Sequence, residues 1–354
     1  MISLRTRGMS LVELMVAMVI GCLLVAAALT IYAQSRSTSR ATESAARLQE
    51  QGRYAMSVIQ ADAELAGFYG YTNLPETVRL VAGTTAAQMR QSLPPVAGLP
   101  PGAHSCGINF AVDVLMPVQG SNGTFDLGRG RLAACNPYGS GAQPGTDTLT
   151  VRRVETTDSA PEAGRLQMFA ARLNSRTAHF LFWDGTAPGG IDADHRVLNL
   201  VVRSYYIARD SVSRPGFPAL RAKTLTRSGG NVVFDEDEVM TGIEDLQVQF
   251  GIDTGDHDND GVIDSQADTD RDGIPEPTGR VTRYVMPDFP ALERYQVAAI
   301  RIWLRIRADE PEGGFVDDRT YRYAEVVYTP AGPERAFRRA VMSRTVAVRN
   351  ARVY

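Results

Sequence analysis

The chain reads as α+β: one long N-terminal helix, its first half transmembrane, packed on an antiparallel β-sheet head. Three observations predict this. Leu14–Ala33 is a run of 20 residues without a charge, and about 20 apolar residues span a hydrocarbon core of roughly 30 Å. The helical signal then continues, because residues 34–66 hold no proline and only one glycine, Gly52. From Thr146 onward, short stretches of β-branched and aromatic residues recur between turn signals. A helix followed by a run of strands is the α+β pattern.

The helix comes first. Beyond the apolar run, Leu48, Met56, Ile59 and Leu65 recur at near-helical spacing, with Arg47, Glu50, Arg53, Asp62 and Glu64 between them. A helix from Met9 to about Ala66 would be roughly 85 Å long at 1.5 Å per residue. Its first half faces lipid and its second half presents one stripe to a globular head. Gly67 and Gly70 end it. Residues 71–145 are loop-like, rich in Pro, Gly, Ser and Asn, with Leu93-Pro94-Pro95 and Leu99-Pro100-Pro101-Gly102. An aperiodic stretch of that length is either functional or needs stapling. Strands are predicted at Asp147–Val154, Leu166–Ala170, His179–Trp183, Val197–Ala208, Ala219–Thr226, Asn231–Phe234 and Ile243–Ile252. Gln296–Arg307, Tyr321–Tyr328 and Val341–Val348 follow. In Gln296–Arg307 the residues Val297, Ala299, Arg301, Trp303 and Arg305 share one face, and arginine marks it as the wetter one.

Composition limits the function classes. The chain is 22% charged and 44% hydrophobic with net charge −3. Its length can bury a real core, and nothing in its charge suggests nucleic-acid binding. The histidines (His104, His179, His195, His257) are scattered, and there is no Gly-x-Ser-x-Gly, P-loop or dinucleotide fingerprint. No enzyme is predicted, although a membrane-anchored hydrolase using the acidic loop described below is the rival of another class. Cys22 lies inside the apolar run, where it reads as a packing residue. Cys106 and Cys135 are a candidate disulfide, since Arg5 and Arg7 ahead of the helix favour an N-in orientation and an oxidising compartment for the rest.

A single carboxylate, Glu13, sits at the start of the apolar segment. An ionisable group there is a functional hypothesis by default, because burying its charge in lipid is costly. Three processing schemes compete. A secretory signal would be cleaved near Ala26-Ala27-Ala28, and Val19-Ile20-Gly21-Cys22 has the shape of a lipobox. Both leave Glu13 in the hydrophobic core of the signal and a long apolar tail beyond it. The third scheme is a prepilin. Gly8-Met9-Ser10-Leu11-Val12-Glu13 resembles the type IV prepilin (class III) signal. That resemblance implies cleavage between Gly8 and Met9 by a prepilin peptidase and N-methylation of Met9. This family usually has phenylalanine at the position of Met9. Glu13 then pairs with a free amine at Met9, its own or a neighbour's, rather than merely snorkelling to the headgroups.

Residues 256–276 carry a second motif. Asp256, Asp258, Asp260, Gly261 and Asp264 are repeated twelve residues later as Asp268, Asp270, Asp272, Gly273 and Glu276. Aspartates at alternate positions turn their oxygens to one centre, the glycine allows a sharp turn, and the backbone carbonyl of Val262 or Ile274 adds a ligand. The spacing predicts one or two calcium ions. The bidentate glutamate of a full EF-hand is missing, since Ala267 and Gly279 stand at the twelfth positions. The repeat looks more like thrombospondin type 3 or dockerin loops, with Asp268 closing the first site while opening the second. The alternative is an acidic, solvated insert.

Two further segments narrow the family. Arg47-Leu48-Gln49-Glu50-Gln51-Gly52-Arg53-Tyr54-Ala55, followed by Leu65-Ala66-Gly67-Phe68-Tyr69-Gly70, resembles the helix end of PilW-type minor pilins. Gly242–Asp253, Val297–Leu304 and Thr345–Asn350 resemble that family's later segments. The resemblance implies a type IV pilin-like fold with a calcium-binding loop insertion. It also implies a minor pilin that initiates pilus assembly with other minor pilins and the major pilin, beneath a PilY-type tip adhesin. The setting would be the inner membrane and periplasm of a Gram-negative cell, then the extracellular pilus used in adhesion and twitching motility. A GspJ-like pseudopilin of type II secretion and a calcium-dependent adhesin are the alternatives. The expected division is leader 1–8, transmembrane half-helix 9–33, amphipathic half-helix 34–66, loop-rich region 67–145, β-rich head 146–255, calcium loop 256–276 and C-terminal β-region 281–354.

Overall fold

The strand-forming segments sort into two larger sheets and one small hairpin. The computed structural model describes residues 10–351 apart from 73, 81–82, 92–94, 174–175, 189–193, 256–278 and 291. The chain divides into two compact units, one up to Gln49 and one from Glu50 onward.

Helix α1 spans Leu11–Glu64. Ser10 caps it: its hydroxyl oxygen accepts the Glu13 N–H at 3.2 Å, and its carbonyl accepts the Leu14 N–H at 3.1 Å. Ser-x-x-Glu at a helix start is the capping-box pattern. The far end tightens as the Leu65 and Ala66 N–H groups bond carbonyls three residues back, at Asp62 and Ala63. Gly67 follows at φ +76°, which a residue with a Cβ adopts only under strain.

The head begins with β1 (Val78–Leu80), α2 (Ala86–Gln91) and β2 (Val118–Ser121). A meander follows: β3 (Thr148–Val154), β4 (Ala163–Leu173), β5 (Arg176–Asp184), β6 (Asp194–Ala208), β7 (Ala219–Ser228) and β8 (Asn231–Thr241). These eight strands make one sheet, antiparallel except that short β1 joins β5 in parallel. Strand β6 is its axis. Its first half pairs with β4, and Ser204 pairs with Thr150 of β3 on one edge and Lys223 of β7 on the other. The second sheet is antiparallel, in the order β10 (Arg283–Val285), β9 (Ile243–Asp253), β11 (Gln296–Arg307) and β14 (Arg339–Ala347). Strands β12 (Tyr321–Tyr323) and β13 (Val326–Tyr328) form the hairpin.

Three expectations change. Tyr321–Tyr328 is two short strands rather than one, because Ala324 at φ +46° reverses the chain. Arg305 and Arg307 are buried, so that face of β11 is not wet. The β12–β13 hairpin supplies part of its cover: the Tyr323 hydroxyl accepts from Arg305 at 2.7 Å, and the Arg305 guanidinium lies 3.7 Å from the Tyr328 ring centroid. The loop-like region 71–145 also contributes strands, a helix and much of the main core, including Met89, Leu99, Phe110 and Val112 packed with Leu166, Leu181, Leu198 and Val202.

That region is held by two devices. Cys106 and Cys135 are joined in a disulfide with Cα atoms 5.1 Å apart. Arg152 is fully buried and donates to the Phe110 carbonyl at 2.9 Å, the Met116 carbonyl at 2.7 Å and Gln119 Oε1 at 2.8 Å. A buried cation is tolerable only when its donors are used, so Arg152 fixes the path of 110–119 over the sheet.

Candidate functional site

The N-terminal site is built by local helix chemistry. Ser10 sets the start of α1, which puts Glu13 in the first turn, where the helix dipole favours a negative charge. Beyond it the large apolar side chains stand exposed, among them Leu14, Met15, Ile20, Leu24 and Leu29. The Thr30 hydroxyl donates to the Ala26 carbonyl at 2.9 Å, so this polar group is satisfied inside the helix. Among the described residues this is the one helix long and apolar enough to cross a membrane. Gly8 and Met9, the expected cleavage pair, lie outside the described residues.

The second site anchors helix residues 50–64 to the head. A Cβ on Gly52 would lie 2.3 Å from Met342 Sδ and 3.0 Å from Ile306 Cδ1, so a side chain there would push the helix off the second sheet. Ten residues on, Asp62 meets the first sheet and is only 2% exposed. Its Oδ1 accepts from Arg153 Nε at 3.0 Å and Nη2 at 2.7 Å. Its Oδ2 accepts from Arg203 Nη1 at 2.8 Å and the Tyr205 hydroxyl at 2.6 Å. Burial, and then the Asp62 charge, push the Tyr205 hydroxyl far above its usual range, so it stays a donor. The helix is thus tied to both sheets within one head.

The family-like segment 242–253 is β9, and its polar residues are joints. The Glu244 carboxylate takes a two-pronged contact from Arg339 at 2.9 and 3.0 Å and a third bond from Arg305 Nε at 3.0 Å. Asp245 accepts from the Tyr323 hydroxyl and from Gln247 Nε2. Asp147, at the start of β3, links the sheets. Its N–H donates to the Leu246 carbonyl at 2.9 Å, while its two oxygens accept the N–H groups of Gly123 and Val248, each at 2.8 Å. Burial raises the Asp147 carboxyl to about 7. At the end of β9, Asp253 accepts from the N–H groups of Gly255 at 3.0 Å, Gly279 at 2.7 Å and Arg280 at 3.1 Å. It clasps the chain on both sides of the acidic insert.

The ten candidate calcium ligands, Asp256, Asp258, Asp260, Val262, Asp264, Asp268, Asp270, Asp272, Ile274 and Glu276, lie outside the described residues. Among the described residues no cluster of His, Cys, Asp or Glu is placed to hold a metal ion. Sequence reasoning missed the Asp62 and Asp147 joints. Asp62 was legible in principle, since it falls three residues after buried Ile59, in phase with the apolar stripe. Asp147, next to a predicted strand, gave no signal of its partner across the sheets.

A membrane-length apolar helix with a capped first-turn glutamate, leading into a β-rich head, defines a type IV pilin-like protein. Residues 4–29 match the prokaryotic N-terminal methylation motif, and residues 204–350 match the model for type IV pilus-assembly protein W. Together these place the chain among the PilW-type minor pilins. No curated protein and no solved structure matches it.

Proposed function

We propose that this minor pilin primes type IV pilus assembly as an inner-membrane subunit with a periplasmic head. After leader removal it enters the filament with other minor pilins and the major pilin, in a tip complex beneath a PilY-type adhesin. One observation carries the reading: Glu13 stands in the first turn of an exposed apolar helix that belongs to a PilW-type chain. In lipid that carboxylate is costly unless it meets a cation, and the N-terminal amine of a neighbouring pilin is the cation that assembly supplies. The role is structural. The polar joints of the head are ion pairs and backbone bonds that connect sheets, and the matched family is one of pilus assembly.

The acidic insert would add calcium binding. Seven aspartates and a glutamate within 21 residues repel one another strongly without a cation. The Asp253 clasp, which fixes both ends of the insert on the β9–β10 turn, supports a loop that folds around an ion at the edge of the second sheet.

Mass spectrometry of the mature chain tests the processing: the expected species starts at N-methylated Met9. A chain starting at lipidated Cys22 would overturn the proposal. Glu13→Ala should leave leader cleavage intact and sharply reduce surface pili, whereas normal piliation would count against the docking role.

A further inference from the structure

Strand β14 has one edge with no partner among the described residues. Its register with β11 is unbroken from Ala299↔Ala347 to Arg307↔Arg339. The flanking bonds, Val348 N–H to the Ala298 carbonyl and Ala308 N–H to the Arg338 carbonyl, fix which groups face β11. In an antiparallel ladder bonded pairs recur every second residue, so Ala340, Met342, Arg344 and Val346 spend their N–H and C=O groups on β11. Val341, Ser343, Thr345 and Ala347 turn theirs the other way. The stretch is bounded at both ends. The Arg339 carbonyl accepts from Arg319 and Tyr321, and the Arg349 N–H bonds the Glu64 carbonyl. Between them lies an open edge of about 20 Å at roughly 3.3 Å per residue, with Ser343, Arg344, Thr345 and Ala347 exposed.

The other sheet ends are guarded. Strands β1, β2 and β10 have three or four residues each. Strand β8 has a register shift against β7, four consecutive acids from Asp235 to Glu238, and its Val232 carbonyl packed so closely on Gly102 that a Cβ there would lie 1.7 Å away. Short strands, bulges, charges and covering segments are how folded chains keep edges from pairing. The edge of β14 shows none of them between Val341 and Ala347, apart from Arg344, whose side chain turns to Gln60 of the helix.

We infer that the β14 edge is a strand-addition site, and that its occupant is an extended, acidic segment of a different subunit of the same pilus. The charge of the chain selects the occupant. Residues 335–354 hold six arginines and no acid, so an acidic strand is favoured, and the β14 of a second copy, equally basic, is disfavoured. Main-chain hydrogen bonds would give the affinity and alternate side chains the selectivity. The inference rests on the minor-pilin reading given above and adds a contact surface to it.

The test uses the full-length chain in cells that assemble pili. A photo-crosslinking residue in place of Thr345 should give an adduct with another pilus subunit, mapped by mass spectrometry to an acidic extended segment. Ser343→Pro removes one outward N–H and spares the β11 ladder, since proline is tolerated where the N–H faces away from the sheet. In that background the adduct should fall at least tenfold, while Ser343→Ala should leave it unchanged. Thermal melting of the purified Ser343→Pro chain in detergent must match the parent. If it does not, the same comparison is made with Ala347→Pro, which removes another outward N–H at the strand end. Equal adduct yield in a folded proline variant would overturn the inference, as would an adduct formed only with a second copy, or none at all in piliated cells. Deleting the gene separates the two claims: unchanged pilus number would refute the minor-pilin role itself, whereas lost pili with no adduct would refute only the edge contact.

Discussion

Replacing Asp62 by alanine should loosen the helix from the head more than any surface change on the same helix. The carboxylate accepts four hydrogen bonds, two from Arg153, one from Arg203 and one from Tyr205, at 2.6–3.0 Å. Its loss leaves two guanidinium groups facing each other with their shared counter-charge gone. Breaking a buried ion pair from one side costs about 3–5 kcal/mol. The arginine side chains are 15% and 29% exposed and can recruit water, so the lower end, about 3 kcal/mol, is expected. At about 2 °C per kcal/mol for a domain of this size, the melting temperature should drop by about 6 °C. The assay is thermal unfolding of the full chain in detergent, followed by near-UV circular dichroism. Asp62→Asn keeps one acceptor and should lose less than Asp62→Ala. Adding Tyr205→Phe to Asp62→Ala should cost little more, because the hydroxyl has already lost its partner. A drop below 1 °C for Asp62→Ala would refute the view that this joint holds the helix to the first sheet.

Three other outcomes are expected. His179 is 1% exposed, both its ring nitrogens lack partners, and burial lowers it from 6.5 to about 4. The unfolded chain therefore binds the extra proton between those values, and the stability His179 contributes, about 3 kcal/mol, is present above pH 6.5 and lost as pH falls to 4. Asp147, raised to about 7, works in the opposite sense over the same range, so the comparison must be variant against parent. His179→Phe should raise the melting temperature more at pH 5 than at pH 7.5; equal shifts would contradict the titration. Ala324 sits at φ +46° in the β12–β13 turn, and Ala324→Gly should relieve about 1 kcal/mol of strain net of added chain entropy, seen as a small rise in melting temperature. A fall would show that the turn is held by contacts of the methyl group. Calcium at millimolar concentration should raise the melting temperature relative to a chelator, and Asp258→Ala with Asp260→Ala should abolish the rise. An unchanged calcium shift in that double variant removes the proposed loop site.

Much of this protein was legible because the signals are local. A charge-free stretch of membrane length, an Asp-free helical run, and alternation in segments such as Ile243–Ile252 and Gln296–Arg307 depend on neighbours in sequence, and the corresponding elements formed, except that Asp62 interrupts the helical run as an acid. The Ser10–Glu13 start of α1 is local too, fixed by a hydroxyl three residues from the amide it caps. What failed was long-range. Arg305 and Arg307 looked wet because arginine on a strand usually is, yet Glu244 on the next strand and the hairpin at 321–328 bury them. Region 71–145 looked like bare loop because its order comes from Arg152 and from the core beneath it.

The sequence by itself determined the membrane helix, the glutamate at its head, the α+β class and the family segments, since each follows from composition and short spacing. Only the tertiary structure decided that Asp62, Glu244 and Asp147 are joints rather than surface charges. It also decided that β14 ends a sheet with its outward backbone groups open. Burial and strand neighbours are properties of distant segments meeting, and no local pattern of residues carries them.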